Sequence, residues 1–132
     1  MSLRRTTTFA KKDSDILAMI NLALRQARRS GCRQRVGAVL TLGNRVLAAS
    51  PNRRRNDPSV TFAHATFHAE EAVLRRTART TGTTLYVARV DAADIPRLAK
   101  PCQRCEKALV EAGVARVHYT AEAQSVQVLK LI

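Results

Sequence analysis

Two stretches decide the fold of this sequence: His68-Ala69-Glu70 and Pro101-Cys102-Gln103-Arg104-Cys105. Each stretch follows a strand or loop segment, and each is predicted to lie at the start of a helix. One imidazole and two thiolates are good ligands for tetrahedral zinc, and a set of only three protein ligands leaves the fourth position open, as in catalytic zinc sites. The two stretches therefore predict an open zinc site formed by His68, Cys102 and Cys105.

The spacing within each stretch agrees with this interpretation. A Cys-x-x-Cys pair on the first turn of a helix directs both sulfurs towards one metal ion, and the positive end of the helix dipole favours the thiolate form. Glu70 comes two residues after His68, so it is expected beside the metal without ligating it. A carboxylate in that position is able to take a proton from zinc-bound water and pass it on.

Two other interpretations of the cysteines stay open at this point. A Cys-x-x-Cys pair is also typical of redox sites, although a redox site explains neither the His-x-Glu nor the preceding proline. A closed structural zinc site needs a fourth ligand, and Cys32, His64 and His118 are present in the sequence. Cys32 is otherwise expected to be a small core or surface residue, His64 a loop residue and His118 a strand residue.

Apolar periodicity and turn residues predict the elements on either side of these motifs. Asp13 caps the first helix, and Gly43-Asn44 joins the first two strands in a hairpin. The predicted helices cover residues 13–30, 66–79 and 102–112, and the predicted strands cover residues 35–42, 46–49, 83–90, 115–119 and 126–132.

The last segment fits either a strand or a helix, and we favour the strand. Residues 121–125 are too few for a crossover, because parallel neighbours need a connection of about a dozen residues or more. The last strand should therefore run antiparallel to the one before it. The element order predicts an α/β fold, a three-layer α/β/α sandwich with a central mixed sheet of about five strands. Residues 1–12 are expected to form a basic arm and residues 13–132 a single domain.

Composition excludes several classes of protein. Apolar residues make up 45% and charged residues 25% of the 132 residues, as in ordinary globular domains. No stretch approaches the roughly 18 apolar residues that a membrane span requires, and the N-terminus lacks the apolar segment of a signal peptide. Three cysteines without an export signal argue against a disulfide scaffold. We therefore expect a cytoplasmic protein with no membrane partner.

Net charge is the unusual feature of the composition. Lys and Arg number 23 against 10 Asp and Glu, which gives a formal net charge of +13. Such an excess favours a polyanionic partner, either nucleic acid or a substrate carrying phosphate. Most of the basic residues are arginine, however, and a GC-rich coding sequence produces the same bias without any selection for function. Both explanations stay open.

The two motifs together resemble the signature of zinc-dependent nucleobase deaminases, in which His-x-Glu is followed by Pro-Cys-x-x-Cys. Residues 36–40 look like the first strand of these enzymes, and residues 85–87 match the strand before the cysteine motif. Asn52 falls where the family places a substrate-contacting asparagine after the second strand. On these residues the chain is identified as a member of the cytidine/deoxycytidylate deaminase-like superfamily.

The resemblance implies a role for each residue of the motifs. His68, Cys102 and Cys105 would hold one Zn²⁺, and Glu70 would act as general acid and base. Hydrolysis would release ammonia from C4 of cytosine or C6 of adenine. Substrate contacts are expected from residues beside the zinc ligands and from residues after the second strand: Asn52, Arg54, Phe67, Ala69 and Pro101. The base is expected to stack on Phe67.

Arg54 departs from the family pattern. Small cytidine deaminases usually carry Asn-x-Glu, whose carboxylate grips the ribose, whereas Arg54 stands two residues after Asn52. Arginine accepts no hydrogen bond from a sugar hydroxyl, but its planar fork suits phosphate. We therefore expect cytosine-to-uracil conversion in a phosphate-bearing nucleotide or a nucleoside, of the dCMP or cytidine type, within nucleotide metabolism.

Two alternatives accompany this expectation. The first is deamination of cytosine or adenine in RNA or single-stranded DNA. The second is a zinc-containing binding domain without catalysis, which the presence of Glu70 argues against. The resemblance also implies a homo-oligomer.

Overall fold

A mixed β-sheet lies at the centre of the protein. The computed structural model describes residues 11–54, 66–122 and 125–131. Three helices and eight strands occur in these residues, in the order α1 (Lys11–Arg28), β1 (Arg35–Leu42), β2 (Arg45–Pro51), β3 (Arg53–Arg54), β4 (Thr66–Phe67), α2 (Ala69–Arg75), β5 (Thr84–Val90), β6 (Pro96–Arg97), α3 (Gln103–Glu111), β7 (Arg116–Thr120) and β8 (Val126–Lys130).

The strand order of the central sheet is β2-β1-β5-β7-β8, and β6 adds a short antiparallel pairing to β5. Strands β5 and β7 are parallel, because α3 crosses between them, and the other neighbours are antiparallel. The last strand pairs with β7 from Arg116↔Lys130 to Thr120↔Val126. The predicted mixed sheet and the antiparallel last strand are both confirmed.

Side chains alternate between two cores on the two faces of this sheet. Along β1, Ala38 and Leu40 pack with residues of α2 and α3, whereas Val39 packs with residues of α1. In β5 the same alternation places Leu85 and Val87 with the first core and Tyr86 with the second. Helices therefore cover both faces, and the predicted three-layer sandwich is confirmed.

The ends of two helices differ from the prediction. Helix α1 begins at Lys11, before the expected cap at Asp13, while residues 1–10 of the expected arm lie outside the described residues. Helix α2 was predicted over residues 66–79 but covers Ala69–Arg75. Thr66 and Phe67 pair instead with β3, so tertiary pairing overrides the local helical pattern. Beyond the helix, the Thr77 hydroxyl accepts a hydrogen bond from the backbone N–H of Arg79 (3.3 Å), a local contact that competes with helix continuation.

Gly37 allows α1 to lie directly on β1. A Cβ atom at this position would lie 2.2 Å from the Ala23 carbonyl oxygen and 2.3 Å from the Ala27 nitrogen. Both atoms belong to the helix backbone, which has no flexible end that could move aside. The close approach of α1 to the sheet therefore requires glycine at position 37.

We expect Gly37→Ala to lower the free energy of unfolding by at least about 1–3 kcal/mol, because the added methyl group forces helix and strand apart. Urea denaturation measures this loss. Gly31→Ala is the matched control, since a Cβ there meets no atom within 4 Å. Equal stability of Gly37→Ala and the parent protein would show that α1 does not pack as described.

Candidate metal centre and active site

The candidate zinc ligands lie at the starts of two neighbouring helices. His68 is the N-cap residue of α2, and Cys102 is the N-cap residue of α3, both with extended backbone. Neither side chain makes a cap hydrogen bond to its own helix. Cys105 lies in the first turn of α3 and is 1% exposed.

The three donor atoms form a compact triangle. The distance from His68 Nδ1 is 3.0 Å to Cys105 Sγ and 3.9 Å to Cys102 Sγ, and all three atoms lie within 4.8 Å of one another. In a tetrahedral zinc site with ordinary bond lengths, neighbouring nitrogen and sulfur ligands are separated by about 3.5–3.8 Å. The arrangement fits one Zn²⁺. Because Cys102 is exposed while Cys105 is buried, the site opens towards solvent on one side.

Electrostatics around Cys105 also favour a cation. Burial, followed by the negative charge of Glu70, raises the pKa of the Cys105 thiol well above its ordinary value. In the protein alone this sulfur therefore keeps its proton. A bound metal ion supplies the positive charge that stabilises the thiolate, because a coordinated thiol is deprotonated.

Glu70 is a buried carboxyl group beside the ligand cluster. Its side chain is 6% exposed, and burial raises its pKa from 4.5 to about 7. A hydrogen bond to the backbone at Glu70 and the charge of Arg104 oppose this shift, whereas the charge of Glu71 adds to it. A carboxyl group with such a pKa both holds and releases a proton near neutrality, which is the property of a general acid and base.

An ion pair that the sequence does not predict joins the two helices. The Arg104 guanidinium donates to the Glu71 carboxylate at 2.9 Å, so the residue inside Cys-x-x-Cys binds the residue after Glu70. Both side chains are partly exposed, and such pairs contribute up to about 1 kcal/mol. The contact fixes the two ligand-bearing helix starts relative to each other. The sequence places opposite charges at the starts of two helices, but only the fold shows which of these charges form an ion pair.

Asn52 is buried in the corner after β2. Its Oδ1 accepts hydrogen bonds from the Ser30 hydroxyl (2.5 Å) and the Val36 N–H (3.1 Å), and its Nδ2 donates to the Gln34 carbonyl (2.7 Å). The side chain therefore holds the loop between α1 and β1 in place. One of its two amide hydrogens is used in this way.

The other expected substrate residues lie next to the zinc ligands in the sequence or on the β3–β4 pair that precedes His68. Ala69 and Pro101 are buried, and they directly follow His68 and precede Cys102. Strand pairing brings Arg54 opposite Thr66 and Arg53 opposite Phe67. The side chains of Arg54 and Phe67 lie outside the described residues.

Of the alternative fourth ligands, Cys32 and His118 lie in the described part of the chain and do not join the cluster. Across residues 11–54, 66–122 and 125–131, the metal-binding group consists of His68, Cys102 and Cys105. Cys32 lies in a separate pocket beside Asn52. His118 is a buried residue of β7 and stacks on Tyr86, with ring centroids 5.1 Å apart. His64 lies outside the described residues.

The fold and this site are typical of the zinc-binding deaminase family. Residues 10–121 match the family model for the cytidine and deoxycytidylate deaminase zinc-binding region. The chain belongs to this family. Within the described residues, no helix is both long and apolar enough to cross a membrane.

Relatives of this chain include enzymes with different substrates. The tRNA-specific adenosine deaminase of Agrobacterium fabrum (strain C58) is 38% identical over 105 residues, which span 78% of this chain and 63% of that protein. A tRNA:A34 deaminase studied for A-to-I editing at the wobble position is 31% identical, with a TM-score of 0.57 over 80% of this chain and 75% of that chain. The apo dCMP deaminase of cyanophage S-TIM5 has a TM-score of 0.65 at 22% identity, over 83% of this chain and 85% of that chain, and so supports the fold.

We expect the purified protein to hold about one zinc ion per chain. Cys102→Ser and Cys105→Ser should each lose most of the metal after dialysis, because a serine hydroxyl is a poor zinc ligand. Elemental analysis by mass spectrometry gives the ratio of zinc to protein. Cys32→Ser is the matched control and should keep its zinc. Loss of zinc from Cys32→Ser would indicate a closed structural site.

Proposed function

We propose that this chain deaminates the base of a phosphate-bearing nucleotide, converting cytosine to uracil in a substrate of the dCMP type. The observation that carries this proposal is the pairing of β3 with β4, in which Arg53 lies opposite Phe67 and Arg54 opposite Thr66. His68 follows β4 directly. Two consecutive arginines therefore lie beside the segment that leads to a zinc ligand, where a bound nucleotide would carry its phosphate.

In this proposal Glu70 moves the protons of the reaction. Its carboxylate takes one proton from the attacking water and delivers it to the ring nitrogen of the base. It then takes the remaining proton of that water, now a hydroxyl on the ring carbon, and delivers it to the amine, which leaves as ammonia. His68, Cys102 and Cys105 hold the zinc ion, which supplies Lewis-acid activation of water when bound. The raised pKa of Glu70 supports this assignment.

The remaining contacts orient the nucleotide. We assign them to Ala69 and Pro101, which flank the ligands, to Phe67, and to Asn52. The second amide hydrogen of Asn52 Nδ2 is the donor that we assign to the substrate, since the first is bound to Gln34. Self-association and cytoplasmic location stay predictions, which sedimentation and cell fractionation would measure.

Glu70→Gln should reduce the rate of ammonia release by about 10²–10⁴-fold, because the amide keeps the shape of the side chain but transfers no proton. The zinc content should stay unchanged, since Glu70 is not a ligand. Ammonia release and zinc content are measured on the same samples. Turnover close to that of the parent protein would assign proton transfer to another group.

Replacing the β3 arginine that contacts the phosphate, Arg54 or Arg53, by alanine should raise the KM for dCMP about 10–100-fold, the loss expected for one charge-assisted contact. The KM for deoxycytidine should change little, because it has no phosphate. Steady-state kinetics with both substrates gives the comparison, with Arg54→Ala and Arg53→Ala in parallel. Arg45→Ala is the control at the far end of β2. Equal losses with nucleotide and nucleoside would contradict a phosphate contact.

A second candidate substrate is a base in RNA. The 38% identity to a tRNA-specific adenosine deaminase favours it, as does the net charge of +13. Binding to single-stranded RNA should then weaken steeply with salt, with a log–log slope of about −0.7 per phosphate contact. Activity on dCMP with little salt dependence favours the first candidate, whereas activity on RNA alone favours the second.

A further inference from the structure

A second pocket lies next to the candidate active site, between the end of α1 and the corner that joins β2 to β3. Its volume is about 350 Å³. That volume lies within the range of small-molecule sites and exceeds what a phosphate group alone requires. The lining residues come from two distant parts of the sequence: Arg29, Gly31, Cys32, Pro51, Asn52 and Arg53.

Hydrogen bonds hold the two walls of this pocket together. The Ser30 hydroxyl donates to Asn52 Oδ1 at 2.5 Å and accepts from the Cys32 N–H at 3.1 Å. Asn52 Nδ2 donates to the Gln34 carbonyl on the same loop. Ser30 and Asn52 are both buried. The relative placement of the walls is therefore part of the fold and does not depend on a ligand.

The charge of the pocket is positive. Arg29 and Arg53 contribute exposed guanidinium side chains, and no acidic residue lines the pocket within the described part of the chain. At the end of α1, the carbonyls of Gln26 and Ala27 accept the N–H groups of Arg29 and Ser30 at 3.1 Å. Two guanidinium groups facing one cavity are suited to the oxygens of a phosphate.

Arg53 connects this pocket with the metal centre. It pairs with Phe67, and the next residue is His68. Since paired Cα atoms lie about 5 Å apart and consecutive Cα atoms 3.8 Å apart, the Cα atoms of Arg53 and His68 are within about 10 Å. This separation is comparable to the length of a nucleotide, with its base at one end and its phosphate at the other.

We infer that this pocket binds the phosphate next to the reacting base, with Arg29 and Arg53 as its ligands. The inference rests on the proposed function and deepens it, because it assigns the phosphate to named residues. Arg29 is the new element, since it lies far from both motifs in the sequence. The phosphate belongs either to a free nucleotide or to a polynucleotide, and the experiment separates these sources.

Cys32 provides a direct measure of occupancy. In the zinc-loaded protein Cys102 and Cys105 are ligands, so Cys32 is the remaining thiol of the three. Inorganic phosphate should slow alkylation of Cys32 by iodoacetamide, measured by peptide mass spectrometry, whereas sodium chloride at equal ionic strength should not. Iodoacetamide is neutral, and the ratio of rates with and without phosphate is taken within each variant, so differences in thiol reactivity cancel.

Arg29→Gln and Arg53→Gln should each raise the phosphate concentration required for protection about tenfold, the change expected for about 1.4 kcal/mol of lost contact. Arg45→Gln is the matched control, since Arg45 begins β2 about 20 Å from Pro51. It should keep the protection of the parent protein. Protection no greater than that of chloride, or protection unchanged in both pocket variants, overturns the inference.

Two model ligands identify the source of the phosphate. Stronger protection by methyl phosphate than by dimethyl phosphate indicates a free nucleotide. Protection by dimethyl phosphate that equals or exceeds that by methyl phosphate indicates a polynucleotide. Deamination of dCMP without any protection of Cys32 overturns the inference and leaves the proposed function intact. Protection that depends on Arg29 and Arg53, with no nucleobase deaminated, confirms the phosphate ligands and overturns the proposed function.

Discussion

The contact between His68 and Cys105, with Nδ1 and Sγ 3.0 Å apart, is the interaction on which the rest of the site depends. It requires α2 and α3 to begin at the same edge of the sheet. Strands β2 and β5 meet this requirement, because both are antiparallel to β1 and so end at the same edge, and the segments that lead to α2 and α3 follow those ends. Burial raises the pKa of the Cys105 thiol, so its thiolate form requires a positive charge nearby. A metal ion bound by both Cys105 and His68 supplies that charge. The sheet topology thus has a direct chemical purpose.

The same packing that forms the metal centre sets the state of Glu70. Glu70 lies two residues after His68, the N-cap residue of α2, and burial raises the pKa of its carboxyl group to about 7. Full burial of a charged carboxylate is unfavourable, so the group accepts a proton readily. Arg104 limits the shift through its positive charge and also binds Glu71. Position and protonation of Glu70 therefore follow from one arrangement of two helices.

Local patterns in the sequence predict much of this architecture. The motif residues identify the ligand set, and the short segment before Val126 predicts the antiparallel last strand, because so few residues leave no other connection. Pairing across the fold is what the sequence does not reveal. Thr66 and Phe67 have a helical context yet form β4, and the pocket between Arg29 and Arg53 exists because Ser30 bonds Asn52. These features depend on contacts between residues that are distant in the chain.

The central claim is that three side chains hold one zinc ion and leave a coordination position open. X-ray absorption at the zinc edge of the purified protein tests it most directly. The account predicts two sulfur ligands at about 2.3 Å, one imidazole nitrogen at about 2.0–2.1 Å and one further light ligand that is not an imidazole. A third sulfur or a second imidazole in the coordination sphere would contradict it, because the site would then be closed.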